Sequence, residues 1–201
     1  MTRLYAFLAV CLLLIASAAA QFDCNSAPPG GSPKICCPWM DGASVHNGTA
    51  YLVCWEKYAH FPVNLIPGGG IAGGPAGCAA ECFFDSVDAL DRNQRVTRVD
   101  LNAMKAHVRK FTHPDELPVM DEALEYCVSE ANARAEIFYA IQRGPQVVPG
   151  LENCSPISGF TFSCLHVYAM RTCPFGEWNP EGLEICDETR DFYNACPLNP
   201  Y

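Results

Sequence analysis

Two cysteines four positions apart, in the stretch Gly77-Cys78-Ala79-Ala80-Glu81-Cys82-Phe83-Phe84, constrain this chain more than any other feature. On a helix they lie on one face, a turn apart. Bridges at both positions would tie that helix to two other segments, and Phe83-Phe84 adds bulky apolar surface beside them. The expectation is a compact, disulfide-stapled, all-α bundle with this helix as its hub.

The start of the chain reads as a processing signal, residues 1–20. Arg3 supplies the positive end, Leu4 to Ile15 the apolar run, and Ala18-Ala19-Ala20 the small residues before a cleavage point. The apolar run is too short to span a bilayer and polar chain follows it. Cys11 leaves with the signal. Twelve cysteines remain: Cys24, Cys36, Cys37, Cys54, Cys78, Cys82, Cys127, Cys154, Cys164, Cys173, Cys186 and Cys196. An even set in a secreted chain predicts six disulfides, and the absence of any CxxC pair argues against structural zinc. Loss of Arg3, with no acid beside it, takes the formal charge from −9 to −10. Such acidity argues against nucleic acid and anionic membranes as partners.

Residues 21–201 are expected to form one domain. Its arm, 21–48, is rich in Pro, Gly and Ser. The vicinal pair Cys36-Cys37 would staple this arm to two places, since neighbouring cysteines bond each other only with strain. Asn47-Gly48-Thr49 is a glycosylation candidate; Asn153-Cys154-Ser155 is discounted because Pro156 follows and Cys154 is expected to be bonded. Helices are predicted over Thr49 to Ala59, about Pro75 to Leu90, from an Asp100 N-cap through Phe111, and from about Glu116 on, continuing through Ile137-Phe138-Tyr139. From Cys154 to Met170 there is no Asp, Glu, Lys or Arg, so a helix apolar nearly all round should lie in the interior. Asn179-Pro180 predicts the start of a last helix running to Asn194, within a C-terminal extension covering 174–201. No alternation of strand length occurs, so no sheet is expected.

No reactive constellation emerges. Cys36-Cys37-Pro38-Trp39-Met40-Asp41 lacks the histidine base that secreted phospholipases place after their cysteine pair, and Gly42 to His46 misses the nucleophile elbow at its last position. Gly68, Gly70 and Gly73 match a dinucleotide pattern with no strand before them, and a loop is the better reading. His46, His60, His107, His113 and His166 show no metal-ligand spacing. No enzyme activity, cofactor or metal is expected. What remains is apolar surface: Phe83, Phe84, Met104, Val108, Phe111, Met120, Leu124, Val128, Phe160, Leu165 and Tyr168. Each alone reads first as core. Together, on helices held by bridges, they are the candidate lining of a cavity for small apolar ligands, which methionine and aromatic side chains suit.

From Cys54 the cysteines run C-x23-C-x3-C-x44-C-x26-C-x9-C-x8-C-P-x11-C. This spacing resembles the insect odorant-binding proteins, and the extra cysteines with Pro174 after Cys173 resemble their Plus-C subgroup. The resemblance covers residues 54–186. The family joins its cysteines one to three, two to five and four to six; carried over, this implies Cys54–Cys82, Cys78–Cys164 and Cys127–Cys173. The pairing of Cys24, Cys36, Cys37, Cys154, Cys186 and Cys196 stays open. The resemblance further implies a secreted carrier of odorants or semiochemicals in sensillar lymph or another extracellular fluid. Olfactory receptors or other odorant-binding proteins are the implied partners, and a homodimer is an implied state. It also implies release of ligand as pH falls, for which His166 is the candidate switch; against that stands a ring that simply points to water. The alternative is a secreted interaction or inhibitor protein with no small-molecule cavity.

Overall fold

The computed structural model describes residues 22–24, 29–30, 33–37, 49–61, 74–93, 95–146, 150–173 and 178–197. The signal segment, Asn47, the Gly68 to Gly73 loop and Pro174 lie outside them. The described elements are α1 (Pro33–Cys36), α2 (Thr49–Tyr58), α3 (Gly74–Ser86), β1 (Leu90–Asp91), β2 (Arg98–Val99), α4 (Leu101–Val108), a 3-10 turn (Pro114–Glu116), α5 (Leu117–Ala133), α6 (Ala135–Gln142), α7 (Pro156–Thr172) and α8 (Glu184–Ala195). Helices dominate, as the all-α reading requires.

Helix α7, free of charged side chains until Arg171 in its last turn, is the centre: α1, α3, α5, α6, α8 and β2 all pack on it. Its buried residues include Ile157, Phe160, Phe162, Cys164, Leu165 and Met170, which is what a helix without a polar face requires. The hub by packing is therefore α7, while α3 is a hub of crosslinks.

Local chemistry explains most boundaries. Asp100 caps α4, its Oδ1 accepting from the amides of Asn102 at 2.8 Å and Ala103 at 3.1 Å. The hub helix stops at Ser86, before the expected Leu90, because Asp88 turns left-handed at φ 57°. The Ala89 amide then donates to the Phe84 carbonyl at 2.8 Å and the Asp88 amide to the Asp85 carbonyl at 3.1 Å, a Schellman closure with Asp where Gly is usual. The chain leaves this closure into the antiparallel pair β1–β2, with Leu90 opposite Val99. This is a small sheet where none was expected. The Asn132 amide completes it from α5: Oδ1 accepts from the Val99 amide at 2.8 Å and Nδ2 donates to the Val99 carbonyl at 3.0 Å. A side chain thus does what a third strand would do for β2.

Two further expectations are corrected. The helix from Leu117 does not run on through Tyr139; it breaks at Arg134, whose amide bonds the Ala131 carbonyl and whose guanidinium occupies the Glu130 carbonyl at 2.7 Å. The last helix starts at Glu184, not Pro180. Asn179 is left-handed, at φ 47°, and spans the turn with its side chain, Oδ1 accepting from the Leu183 amide and Nδ2 donating to its carbonyl. Asn179 is thus a turn-former, one turn too early for a cap.

All twelve cysteines are bridged: Cys24–Cys196, Cys36–Cys186, Cys37–Cys173, Cys54–Cys82, Cys78–Cys154 and Cys127–Cys164. Cys54–Cys82 is as expected, and Cys36 and Cys37 do go to two places. Cys78–Cys164 and Cys127–Cys173 are wrong. The order one to three, two to five, four to six nevertheless holds, with Cys154 as the fifth cysteine and Cys164 as the sixth. Cys154 lies just before the N-terminus of α7, where that helix meets α3. Cys164 is more than two turns further along and belongs to the face that meets Cys127 on α5. Cys173, at the end of α7, turns to the N-terminal arm.

Candidate functional site

The candidate lining residues lie in one place. Phe83, Phe84, Met104, Val108, Met120, Leu124, Val128, Phe160 and Leu165 are all buried in a single apolar cluster, and Tyr168 packs partly buried against it. Phe111 does not join them: α4 ends at Val108, and the Phe111 ring, beyond that end, is 41% exposed.

The densest part of the cluster is aromatic, where α2, α3, α4 and α7 meet. Phe162 stacks on Phe83 with centroids 5.6 Å apart and meets Phe84 edge to face at 5.0 Å. Tyr51 of α2 contacts Phe83 at 5.9 Å and Phe162 at 6.1 Å. His107 of α4 meets Phe83 edge to face at 5.2 Å, and the Phe111 ring is tilted against it, also at 5.2 Å. Such ring pairs contribute about 0.5–1.5 kcal/mol beyond area burial. Tyr51, Phe162 and His107 were not among the candidates. Tyr51 and Phe162 belong to stripes visible in the sequence. His107 could have been found one turn after Met104, on the buried face of its helix.

Electrostatics mark two groups here. Burial, with Lys110 nearby, lowers the His107 pKa, so the imidazole stays neutral at neutral pH. Its Nε2 is buried and has no hydrogen-bond partner among the described residues. Glu81, one turn before Asp85 on α3, is also buried, and burial raises its pKa even though two partners oppose the shift. It accepts from the Ser155 amide at 2.7 Å and from Arg92 at 3.0 Å. A carboxylate from α3 thereby holds the N-terminus of α7, next to the Cys78–Cys154 bridge.

Other candidates lie apart. His166 is half-buried, its ring 5.9 Å from Tyr193 of α8, remote in sequence and contacts from the Phe83 rings. Burial and the Glu122 carboxylate raise the Tyr168 pKa, and its ring sits 5.7 Å from that of Tyr126. The Asn153 amide donates to the Gly144 and Pro145 carbonyls while its neighbour Cys154 is bridged. Outside the apolar cluster an open polar cleft of about 520 Å³ lies at the end of α6, lined by Tyr139, Gln142, Arg143, Gly144, Gln146, Glu152 and Asn153. No group of His, Cys, Asp or Glu among the described residues is arranged to hold a metal, and no described helix is long and apolar enough to cross a membrane. What the arrangement offers chemically is an apolar, aromatic interior with one neutral imidazole at its edge.

No curated protein matches the chain. The family described as AgamOBP47-like matches residues 43–192, which takes in all three bridges of the one-to-three, two-to-five, four-to-six set. The chain therefore belongs to the AgamOBP47-like family, a family of insect odorant-binding proteins.

Proposed function

We propose that this protein is a secreted carrier that takes small hydrophobic molecules of the odorant or semiochemical kind into the apolar interior between α2, α3, α4 and α7. The family match over residues 43–192 carries this reading. The aromatic and methionine side chains of Phe83, Phe84, Phe162, Met104 and Met120 support it, since they offer broad, adaptable contact to apolar ligands. Residues 1–20 are read as a signal peptide, 21–201 as one domain, and the fluid outside the cell as the site of action. The three bridges that reach Cys24, Cys36 and Cys37 support assignment to the Plus-C subgroup. A homodimer, and contact with olfactory receptors or other odorant-binding proteins, belong to the same proposal.

Displacement of a fluorescent apolar probe from fully oxidised protein by odorant-sized molecules tests the carrier reading, with micromolar-range competition expected. A second reading, an interaction protein without a small-molecule cavity, is favoured by one observation: Phe83, Phe84 and Phe162 pack directly on one another, with centroids 5.0–5.9 Å apart. No probe uptake across a varied panel would select that second reading.

A further inference from the structure

The ring of His107 has two aromatic neighbours, the buried Phe83 and the exposed Phe111, each with its centroid 5.2 Å away. The residue is only 8% exposed, and its Nε2 is sealed from water with no partner among the described residues. A buried polar nitrogen without a hydrogen bond is costly, and native interiors rarely keep one. A second such atom is the Ser158 hydroxyl, fully buried and without a partner among the described residues, one turn before Phe162 on the same side of α7. The remaining rings around Phe83 are those of Phe84, Phe162 and Tyr51, and only Tyr51 among them carries a polar atom.

We propose that His107 Nε2 is the polar anchor of the ligand site, and that the preferred ligands are apolar molecules carrying one hydrogen-bonding oxygen, such as an alcohol or a ketone. This rests on the carrier reading and names the ligand class for it. A neutral imidazole can accept from a hydroxyl in one tautomer and donate to a carbonyl in the other. Burial keeps it neutral, so it does so without placing a charge among the rings. The apolar remainder of the ligand lies against Phe83 and Phe162. Phe111 is 41% exposed and its ring lies against that of His107, so a ligand approaching from solvent on this side meets Phe111 before the imidazole.

The test uses full-length oxidised protein and a matched set of ligands: a straight-chain hydrocarbon, and the alcohol and ketone of the same chain length. Wild type is expected to bind the oxygenated pair roughly tenfold tighter than the hydrocarbon, the scale of one net hydrogen bond. His107→Phe should erase that preference by weakening the alcohol and ketone alone, and His107→Gln should keep part of it. In wild type, the Nε2 nitrogen-15 resonance of His107 should shift with the alcohol and stay in place with the hydrocarbon; this reading survives even if a variant folds poorly. Equal binding of all three ligands by wild type, or an oxygen preference that persists in His107→Phe, overturns the proposal and leaves the carrier standing. Failure of wild type to take up any of the three overturns the carrier reading and this one with it.

Discussion

Residues 49–172 and the two ends of the chain are crosslinked equally often and built differently. The bundle carries Cys54–Cys82 and Cys127–Cys164 in one continuous core, from Ala50 and Tyr51 on α2 to Leu165 and Tyr168 on α7, and Cys78–Cys154 in a small cluster with Leu151, Tyr58 and Phe61. The terminal unit carries Cys24–Cys196, Cys36–Cys186 and Cys37–Cys173 around a small cluster of Cys36, Met170 and Cys186, flanked by Trp178, Leu183 and Tyr193. It makes up for that small core with polar ties. Arg171 of α7 donates from Nε to the Tyr193 carbonyl at 2.7 Å and from Nη2 to the Cys196 carbonyl at 2.8 Å, closing α8. Arg190 of α8 donates to the Met170 carbonyl at 3.0 Å and the Cys173 carbonyl at 3.2 Å, closing α7. Each helix thus supplies the arginine that caps the other. Arg190 also lies 3.6 Å from the Trp178 ring centroid, and Trp178 donates to Asp187 at 2.9 Å. Where apolar burial is plentiful the bridges reinforce a fold that packing specifies; where it is scarce, bridges and charged caps specify it.

The largest contrast should come from truncating a ring in each region. Phe84→Ala, fully buried among other rings, should cost about 3–5 kcal/mol in denaturant unfolding. Trp178→Ala, partly buried under Arg190, should cost about 1–2 kcal/mol. Equal losses would erase the distinction. Next, replacing both Cys36 and Cys186 by Ala should remove about 2–4 kcal/mol. Hydrogen exchange should locate the loss: amides of α8 lose protection while those of α5 keep theirs. Loss of α5 protection to the same extent would mean that the two regions unfold as one. Arg171→Gln and Arg190→Gln should each cost about 1–3 kcal/mol, and a double-mutant cycle should find them coupled, because both hold the same pair of helix ends.

The smallest effect is in pH dependence, and it separates two buried groups of the bundle by sign. The folded pKa of His107 lies below its ordinary 6.5, so the unfolded chain binds the extra proton and stability falls as pH drops through that range. Glu81 has a folded pKa above its ordinary 4.5, so the folded state binds the proton more tightly and stability falls as pH rises through that interval. Melting temperature against pH should therefore flatten on the acid side of neutrality in His107→Gln. In Glu81→Gln it should flatten between 4.5 and the raised value.

The bundle was the more legible region. The charge-free run from Cys154 to Met170 announced the burial of α7, Asp100 the cap of α4, and the family resemblance implied one correct bridge, Cys54–Cys82. The errors have physical causes. Cys154 lies two residues before α7 and looks like part of an inserted loop, yet helix packing brings it to Cys78. Strands of two residues carry no alternation to detect, and the partner that stabilises β2 is a side chain on α5. His107 reads as one more residue on an amphipathic face; only its orphaned nitrogen sets it apart, and that exists only once the rings are in place. The terminal unit was legible as cysteines and little else. Its reciprocal arginine caps depend on which helices end side by side, and no local pattern encodes that.

The span of the bridges also sets an order of events during synthesis. Cys54 meets its partner after 28 residues, whereas Cys24, Cys36 and Cys37 wait for partners 172, 150 and 136 residues downstream. Those three thiols are the first of the described set to be made and the last that can be satisfied. While they wait, Cys54, Cys78, Cys82, Cys127, Cys154 and Cys164 emerge one after another as wrong choices. Rapid burial of the bundle cysteines withdraws these competitors, so the packing of α7 acts as the proofreader for the ends of the chain. A core defect such as Phe84→Ala should then appear in the oxidised product as scrambled terminal bridges.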